Sequence, residues 1–572
     1  MIVVVVEKPS VGRAIERLLK KNRIKADVIS LRGHLLESDL KHGYEWGKVD
    51  PKKIFELREF RFKIRDHRAY RELLRVFSNN HVGEIVIATD NDSEGELIGY
   101  EVIYSLRKLD GINNVKRMRF NTVSEEELWR AWKNLEDDLN WRWVWKASFR
   151  RDFDLITGAS FTRLLTSSLR KKGYNRLISW GSCQIPTLNY IVEREEKVRE
   201  FKPTPYWIIT ARLETEYGEI LVARSDRIMD KEDAEKLFSK VRDLKDGVVR
   251  EFVEELEVVT RPRPLRTDEM LRDLHEITGL SSYKILSIAE ELYSEGFISY
   301  PRTDTNQWPR ELDLKKIASV TIPNIVEAKD LIYREENPLN GSLNDGAHPP
   351  IYPVKPYPRD DTLKWIVWEY VSRRFLANVY WPDAEILREK ASIEVGSLNL
   401  RSYGTKLEKI GFYEIFQYFK PRSNPIPRLS KGQKLRVLEI NLVEEFTKPP
   451  SRLTESDLLE LMERDGIGTD ATRAEYPKII IERRYATRVS RGFKPTELGM
   501  NLIISLRSVD YRLVSPETRK IVEDYMERIA RGEKSYDEAL DETLKIYFSL
   551  YKQLEERIEE IAEKIARSIG DA

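Results

Sequence analysis

The stretch VIATDNDSEGELIG, from Val86 to Gly99, decides the fold of the first part of the chain. It places four carboxylates at alternate positions after an apolar run: Asp90, Asp92, Glu94 and Glu96. Like charges at this spacing repel one another, and proteins tolerate the cost mainly where a cation or a proton neutralises them. The pattern predicts a strand, an acidic turn and a helix. The turn is either a Mg²⁺ site or a solvated cap that interacts with the helix dipole.

The N-terminus shows the same order of elements. MIVVVV predicts a buried strand, and Pro9 suits the first turn of a helix whose apolar residues follow at helical spacing. Two such units predict an α/β domain, in which ligands bind beyond the carboxyl ends of the strands. If the two strands are neighbours, Glu7 and Lys8 lie beside the acidic turn.

Composition limits the class of protein. The 572 residues, 41% of them hydrophobic, can bury several cores and predict about three or four domains. The 97 Lys and Arg nearly balance the 96 Asp and Glu, so net charge identifies no partner. A single cysteine, Cys183, excludes internal disulfides and zinc ribbons and favours an intracellular protein. The apolar start is too short for a signal peptide, and no apolar run is long enough to span a membrane.

Residues 141–190 combine basic and aromatic side chains. They contain nine Lys or Arg against only Asp152 and Asp154. This composition suits a surface that follows a phosphate backbone and stacks bases, with Arg163, Arg170 and Lys172 as candidate DNA contacts. The alternative is a helical bundle with its tryptophans in the core and its basic residues in solvent.

The stretch EGFISYPRTDT, from Glu295 to Thr305, follows a predicted helix that ends at Gly296. Pro301 biases Tyr300 toward an extended backbone. A tyrosine is a poor nucleophile unless a cation or base assists it, and Arg302 supplies a cation. The alternative is that Tyr300 is a buried structural residue.

The segment GIGTDATRAE, from Gly466 to Glu475, has a glycine-rich turn. It predicts a helix with Thr469 or Asp470 as N-cap, whose free amides can hold a phosphate, and with Arg473 one turn in. The sequence contains no GxxxxGK[ST] motif for a nucleoside triphosphate.

The rest of the chain alternates between helical and β-rich stretches, so the predicted fold is multidomain, α/β plus α+β, with one domain interrupting another. We expect strands over about residues 205–259 and 381–445, and helices over 267–380 and from Pro449 onward. The predicted domains are 1–145; 146–204 with 446–572; 205–262 with 381–445; and 263–380.

Six motifs, in order and at matching spacing, resemble those of type IA DNA topoisomerases, most closely the topoisomerase III branch with its archaeal members. They are VEKPSVGRAI at Val6–Ile15, TDNDSEGE at Thr89–Glu96, GSCQIPTL at Gly181–Leu188, FISYPRTDT at Phe297–Thr305, AHPPIYP at Ala347–Pro353, and GIGTDATRAE. The resemblance extends from Val6 to Met500. It implies an N-terminal, Rossmann-like Toprim domain, with helical and β-rich domains forming a toroidal clamp.

The resemblance also implies an ATP-independent reaction. One tyrosine would attack one DNA strand to form a 5′-phosphotyrosine link, a second strand would pass through the gap, and the ends would be rejoined, which relaxes negative supercoils or decatenates DNA. By motif position Tyr300 would be the nucleophile and Arg302 the cation on the attacked phosphate. A Mg²⁺ ion would be held by Glu7, Asp90 and Asp92, with Glu94 assisting.

Further roles follow from the same resemblance. Lys8 would assist the departing 3′ oxygen, and His348 would contact the DNA backbone near the site. Other DNA contacts would be Ser182, Gln184, Thr469 and Arg473. The implied substrates are single-stranded, negatively supercoiled or catenated DNA. We expect a monomer, located with the nucleoid in the cytoplasm, and a helicase or single-strand-binding protein as a possible partner.

The sequence departs from the family pattern at a few positions. Asn91 and Ser93 stand where relatives often have Pro and Arg, and Tyr352 stands where they often have His. No cysteines are present for C-terminal zinc ribbons. Two other functions stay open: a Toprim-containing primase-like or nuclease-like enzyme, which leaves Tyr300 unexplained, and a single-stranded DNA clamp that does not cleave.

Overall fold

The structure, a computed structural model, describes residues 1–79, 82–107, 114–469 and 472–570. The N-terminal unit, residues 1–140, contains a four-stranded parallel sheet and a separate antiparallel pair of strands. Its strands are β1 (Ile2–Val6), β2 (Ala26–Ser30), β3 (Leu36–Leu40), β4 (Phe60–Ile64), β5 (Glu84–Ala88) and β6 (Val115–Arg117). Its helices are α1 (Pro9–Lys21), α2 (His67–Asn79), α3 (Ser93–Leu106) and α4 (Glu125–Lys133).

The main sheet of this unit has the order β2-β1-β5-β6, and its neighbours are parallel. β1 and β5 pair in register from Ile2 opposite Glu84 to Val6 opposite Ala88. The two strands are therefore neighbours, which is the condition under which Glu7 and Lys8 lie beside the acidic turn. The residues that follow both strands lie at one edge of the sheet, which is where an α/β fold places a ligand.

Two helices follow, α5 (Trp141–Lys171) and α6 (Gln184–Glu200), and then a six-stranded closed barrel. The barrel contains β7 (Pro205–Glu214), β8 (Ile220–Arg224), α7 (Lys231–Val241), β9 (Asp246–Val259), β10 (Ala384–Val395), β11 (Leu398–Lys409) and β12 (Lys434–Phe446). Its strand order is β10-β11-β8-β7-β12-β9, and it closes through the antiparallel pairing of β9 with β10.

The tyrosine segment, residues 263–380, is inserted between β9 and β10. Its helices are α8 (Thr267–Thr278), α9 (Ser282–Ser294), α10 (Leu314–Thr321) and α11 (Thr362–Tyr380). Its buried residues Leu292 and Ile298 belong to one core with Val6 and Met118 of the N-terminal unit. This shared core seats the segment against the carboxyl ends of β1 and β5.

The C-terminal elements pack with α5 and α6 into a helical unit, residues 141–200 and 450–570. They are α12 (Glu455–Arg464), α13 (Tyr476–Glu482), β13 (Ala486–Val489), β14 (Gly492–Pro495), α14 (Glu497–Val509), α15 (Pro516–Arg531), α16 (Tyr536–Glu556) and α17 (Ile558–Gly570). The β13–β14 hairpin was not expected in this mainly helical stretch. None of the described helices combines the length and apolar character needed to cross a membrane.

The helix start predicted in GIGTDATRAE is wrong at Thr469, and Asp470 lies outside the described residues. A 3₁₀ turn covers Arg473–Glu475, and α13 begins only at Tyr476. The amide of Thr469 donates to Thr472 Oγ1 at 3.1 Å. Because that amide is used inside the turn, Thr469 does not offer the free helix-start amide that we expected.

Candidate active site

The acidic turn between β5 and α3 is held by its own short contacts. Asp92 caps α3, and its Oδ1 accepts a bond from the Gly95 amide at 2.7 Å. Thr89 Oγ1 donates to the Gly95 carbonyl at 2.7 Å. A Cβ at position 95 would lie 2.0 Å from the Asp90 carbonyl oxygen, so only glycine fits there.

Arg117, at the end of β6, fixes the turn from inside the protein. Its guanidinium donates to the carbonyl oxygens of Thr89 at 2.9 Å and Asp90 at 2.6 Å. It also pairs with Glu96 at 2.7 Å, and both side chains are fully buried. Glu96 accepts a second ion pair from Arg119 at 2.7 Å. The fourth carboxylate of the motif is therefore a structural anchor.

Asp90 lies at the centre of the site. Lys8 Nζ donates to Asp90 Oδ2 at 2.7 Å, and the Tyr293 hydroxyl donates to Oδ1 at 3.3 Å. The Asp90 amide donates to Glu7 Oε2 at 3.4 Å. Burial, and then repulsion from Asp90, raise the pKa of Glu7 to about 8. For Lys8, burial lowers the pKa, but attraction to Asp90 and Glu7 outweighs it and the net pKa is raised.

Tyr300 meets the acidic turn across the junction between the tyrosine segment and the N-terminal unit. Its hydroxyl donates to Asp92 Oδ2 at 2.5 Å, and its amide donates to the Asn121 carbonyl at 2.9 Å. Its side chain is buried. Burial and the negative charge of Asp92 raise the pKa of Tyr300 well above 10, so the hydroxyl keeps its proton until a base removes it.

Two further predicted residues border Tyr300. The Arg302 guanidinium bonds Glu290 Oε1 through Nε at 2.8 Å and Nη2 at 2.5 Å. Burial lowers the pKa of Arg302, but the charge of Glu290 outweighs it and the net pKa is raised. The His348 ring lies 4.9 Å from the Tyr300 ring, and its Nδ1 is 3.2 Å from Asp345 Oδ2. The structure thus brings Glu7, Lys8, Asp90, Asp92, Tyr300, Arg302 and His348 together.

Glu94 has different partners. It pairs with Arg150 Nη2 at 2.6 Å and with His34 Nε2 at 3.3 Å. Burial raises the pKa of Glu94, but Arg150 and then His34 outweigh it and lower the pKa to about 2. His34 also bonds Glu101, and these two carboxylates overcome the effect of burial and raise the pKa of His34 to about 10.

Asn91, one of the departures from the family pattern, bridges two parts of the chain. It is buried; its Nδ2 donates to the Ala347 carbonyl at 3.2 Å, and its Oδ1 accepts from Arg119 Nη1 at 2.8 Å. The segment that carries His348 is thereby tied to the acidic turn.

A cleft of about 750 Å³ opens beside these residues. The N-terminal unit, the tyrosine segment and the helical unit all line it. Its lining includes Asp92, His348, Lys146, Arg150, Thr469, Arg473 and Lys520. Two of the predicted DNA contacts, Thr469 and Arg473, therefore lie at the cleft, although Arg473 also pairs with the buried Asp268.

The other predicted DNA contacts lie elsewhere. Arg163 and Arg170 lie 5.5 and 5.3 Å from the centroid of the exposed Trp46 ring, and Lys172 pairs with Glu559 at 3.3 Å. Arg163 is thirteen residues beyond Arg150 on α5, roughly 20 Å along the helix axis. These three residues do not line the cleft.

Ser182 and Gln184 of the GSCQ motif are buried in the helical unit. Ser182 Oγ donates to Asp154 Oδ1 at 2.8 Å and accepts from Arg519 Nη1 at 2.7 Å. Gln184 bonds within the same turn, to Ser179. Cys183 between them is buried, and burial raises the pKa of its thiol to about 12, which fits packing and not redox chemistry.

Sequence reasoning missed Arg117, Tyr293, Glu290 and Asp345, although each contacts a predicted residue. A tyrosine or an acid within an apolar helix gives no local sign of a partner far along the chain. Only Arg117 could have been suspected from the sequence. It ends the short strand β6, and a charged residue that is buried there needs a buried partner of opposite charge.

The donor chemistry of the site fits a divalent cation. Glu7, Asp90 and Asp92 are hard oxygen donors, and both aspartates raise the pKa of Glu7 by repulsion. In the described part of the chain, no three or more His, Cys, Asp or Glu side chains form a group that could hold a metal ion as placed. Asp90 and Asp92 are instead bonded to Lys8, Tyr293 and Tyr300.

Comparison with known proteins places these features in a family. A family model described as DNA topoisomerase matches residues 138–541, and a Toprim domain model matches residues 2–123. DNA topoisomerase 1 of Thermoplasma acidophilum is 31% identical over 564 residues, covering 94% of this chain and 71% of the relative. DNA topoisomerase 3-beta-1 of Homo sapiens is 30% identical over 582 residues, covering 94% of this chain and 67% of the relative. Full-length topoisomerase I from Thermotoga maritima shares the fold, with a TM-score of 0.76, 22% identity and coverage of 96% of this chain and 90% of that one.

The fold and these matches define a DNA topoisomerase. The chain belongs to the type IA family: it is an isomerase with an N-terminal Toprim domain and a toroidal architecture, and it relaxes DNA by strand cleavage and passage. The predicted fold class and the resemblance to topoisomerase III are confirmed. Because the DNA topoisomerase model covers residues 138–541, the alternative in which only the Toprim fold is shared is excluded.

Proposed function

We propose that Tyr300 is the nucleophile. Its oxygen attacks the scissile phosphorus, the bond from phosphorus to the 3′ oxygen breaks, and the 5′ phosphate stays on Tyr300. The observation that carries this proposal is the 2.5 Å bond from the Tyr300 hydroxyl to Asp92, with the Arg302 cation two residues on. The phosphotyrosine conserves the energy of the broken bond, so religation needs no ATP.

The protons can be followed through the site. The pKa of Tyr300 is too high for spontaneous ionisation, so Asp92 accepts its proton during attack. Glu7, with a pKa of about 8, holds a proton at neutral pH and gives it to the departing 3′ oxygen. Arg302 and Lys8 neutralise the charge that develops on the phosphate and the leaving oxygen. Religation runs the same transfers in reverse.

Mg²⁺ would be held by Glu7, Asp90 and Asp92. When bound, it supplies positive charge that holds the broken end in line for religation. A proton and a metal ion would compete for each of these carboxylates, so a metal ion would bind them more tightly as their protons are lost. Glu94 is neutralised by Arg150 and His34, and we leave it out of the ligand set.

The cleft is the proposed path for a single DNA strand. Lys146, Arg150 and Lys520 line it; Lys146 pairs with Glu527 and Arg150 with Glu94, so Lys520 is the first candidate for a phosphate contact. We propose that the strand continues outward along α5 to Arg163 and Arg170, beside the exposed Trp46 ring, which can stack a base.

Salt titration tests this path. Arg163→Ala with Arg170→Ala should lower the slope of log affinity against log salt by roughly 0.7 for each phosphate that the variant no longer binds. Lys172→Ala is the matched control, because Lys172 already pairs with Glu559. An unchanged slope in the double variant would mean that this face of α5 is only solvated.

We propose single-stranded regions of negatively supercoiled or catenated DNA as substrates, with a helicase or single-strand-binding protein to expose them. A monomer contains every residue named in the site. Because its substrate is DNA, we place the enzyme with the nucleoid in the cytoplasm.

Trapping the covalent adduct tests the proposed chemistry. Single-stranded oligonucleotides labelled at either end are incubated with the protein and denatured. The 3′ label should remain on the protein, and the 5′ label should be released on a fragment ending in a 3′ hydroxyl. Tyr300→Phe should form no adduct but bind the oligonucleotide within about twofold of wild type, since only the attacking oxygen is removed.

Two outcomes would contradict the proposal. An adduct in Tyr300→Phe would place the nucleophile elsewhere. Binding without any adduct in the wild-type protein would support the clamp that does not cleave.

A further inference from the structure

Tyr293, in the last turn of α9, is a second buried tyrosine in the site. Its hydroxyl donates to Asp90 Oδ1 at 3.3 Å. Its ring lies edge-on to the Tyr300 ring, with centroids 5.0 Å apart and planes at 71°. Lys8 Nζ lies 5.3 Å from the centroid of the Tyr293 ring. One side chain thus contacts the nucleophile, a carboxylate and a cation.

The contacts of Tyr293 cross the junction between the tyrosine segment and the N-terminal unit. Tyr293 belongs to the tyrosine segment, whereas Asp90 and Lys8 belong to the N-terminal unit. Lys8 holds Asp90 Oδ2 and Tyr293 holds Oδ1, so both oxygens of the carboxylate are oriented only when the segment is seated. The bond from the Tyr300 amide to the Asn121 carbonyl crosses the same junction.

We propose that Tyr293 is a positioning residue for cleavage and religation. Its hydroxyl orients Asp90, its ring orients Tyr300, and both are set together when the tyrosine segment closes on the N-terminal unit. The inference rests on the roles proposed above for Tyr300 and Asp90. It adds a residue that touches neither phosphate nor metal but couples the seating of the tyrosine segment on the N-terminal unit to the alignment of the site.

The hydroxyl and the ring can be tested separately. Tyr293→Phe keeps the ring and removes the bond to Asp90. A hydrogen bond to a charged group changes an equilibrium or a rate by about tenfold or more, and the 3.3 Å length places this one at the lower end. We expect religation of a trapped adduct to slow about tenfold, so that more adduct accumulates. Tyr293→Ala removes the ring as well and should also slow formation of the adduct.

A readout independent of turnover is the Mg²⁺ concentration that gives half of the metal-induced rise in melting temperature. Loss of the bond to Asp90 should raise this midpoint several-fold in Tyr293→Phe. Tyr370→Phe is the matched control. Tyr370 is fully buried in the same segment, and its hydroxyl donates to Asp273 Oδ2 at 2.5 Å, outside the site. It should lower the melting temperature but leave the Mg²⁺ midpoint and the religation rate unchanged.

The proposal is overturned if Tyr293→Phe matches Tyr370→Phe in both the religation rate and the Mg²⁺ midpoint, because Tyr293 would then be only a core residue. Failure of the proposed chemistry gives a different result. In that case Tyr300→Phe would still form an adduct, whatever Tyr293→Phe does.

Discussion

Replacing Arg117 with methionine tests how the acidic turn is held. The methionine fills most of the volume but removes the donors to the Thr89 and Asp90 carbonyls and the ion pair with Glu96. Breaking a buried ion pair costs about 3–5 kcal/mol, and each buried carbonyl left without a donor costs about 1–3 kcal/mol. These two energy costs overlap, and Glu96 keeps its ion pair with Arg119. We therefore expect local stability to fall by about 3–5 kcal/mol.

Arg119→Met is the matched control. Arg119 pairs with the same oxygen of Glu96 at the same 2.7 Å, but its side chain is 20% exposed whereas that of Arg117 is fully buried. Removing it leaves Glu96 paired with Arg117. The expected cost is about 1 kcal/mol, the range of partly exposed ion pairs.

Hydrogen exchange of the amides in β1 and β5 is the suitable assay, because a multidomain chain has no single free energy of unfolding. Religation measured on the same variants reports the position of Asp90, whose carbonyl Arg117 holds. The reasoning is that burial makes Arg117 the main residue holding the acidic turn. Equal destabilisation in the two variants, or a loss of local stability of under about 1 kcal/mol in Arg117→Met, would refute it.

Two further predictions concern the metal and the histidine. Asp90→Ala, or wild type in chelator, should keep some covalent 5′ adduct but lose multi-turn relaxation, and Zn²⁺ should not replace Mg²⁺ because the proposed ligands are all carboxylates; full relaxation in chelator would remove the metal from the reaction. The raised pKa of His34, about 10, means that its ion pairs with Glu94 and Glu101 stabilise the folded protein fully below pH ~6.5 and are lost as pH rises through about 10. The melting temperature of wild type should therefore exceed that of His34→Gln most near pH 6 and converge with it above about pH 10, and a constant difference would contradict the ion pairing.

Local patterns predicted the elements that present the site. A run of valines followed by Pro9 is sufficient to indicate β1 and α1, and Asp92 occupies a position where a carboxylate caps α3. Motif resemblance then indicated Tyr300 and Arg302 together with the turn, and in the structure the Tyr300 hydroxyl bonds Asp92 of the turn.

What the sequence left out depends on contacts distant in the chain. Nothing near Glu96 indicates that Arg117 neutralises it, so the four carboxylates looked alike although one is a buried anchor. Ser182 and Gln184 are buried by the packing of α6 and, for Ser182, by a hydrogen bond from Arg519. Arg519 lies more than 300 residues further along the chain. The β13–β14 hairpin could have been found, since the turn residues Ser490 and Gly492 follow a short stretch that contains the β-branched Thr487 and Val489.

The attachment of the tyrosine segment to the barrel has a consequence for how such a protein can be assembled. The chain leaves the barrel at Val259 and returns at Ala384, and these two residues face each other in the antiparallel β9–β10 pair. Their Cα atoms are thus about 4.5–5.5 Å apart, a gap that a two-residue turn closes in an ordinary hairpin. The segment is therefore an insertion at a hairpin tip, and a chain with a short turn in its place should still close the barrel. The part that carries Tyr300 could be added, removed or exchanged as one unit without redesigning the barrel that supports it.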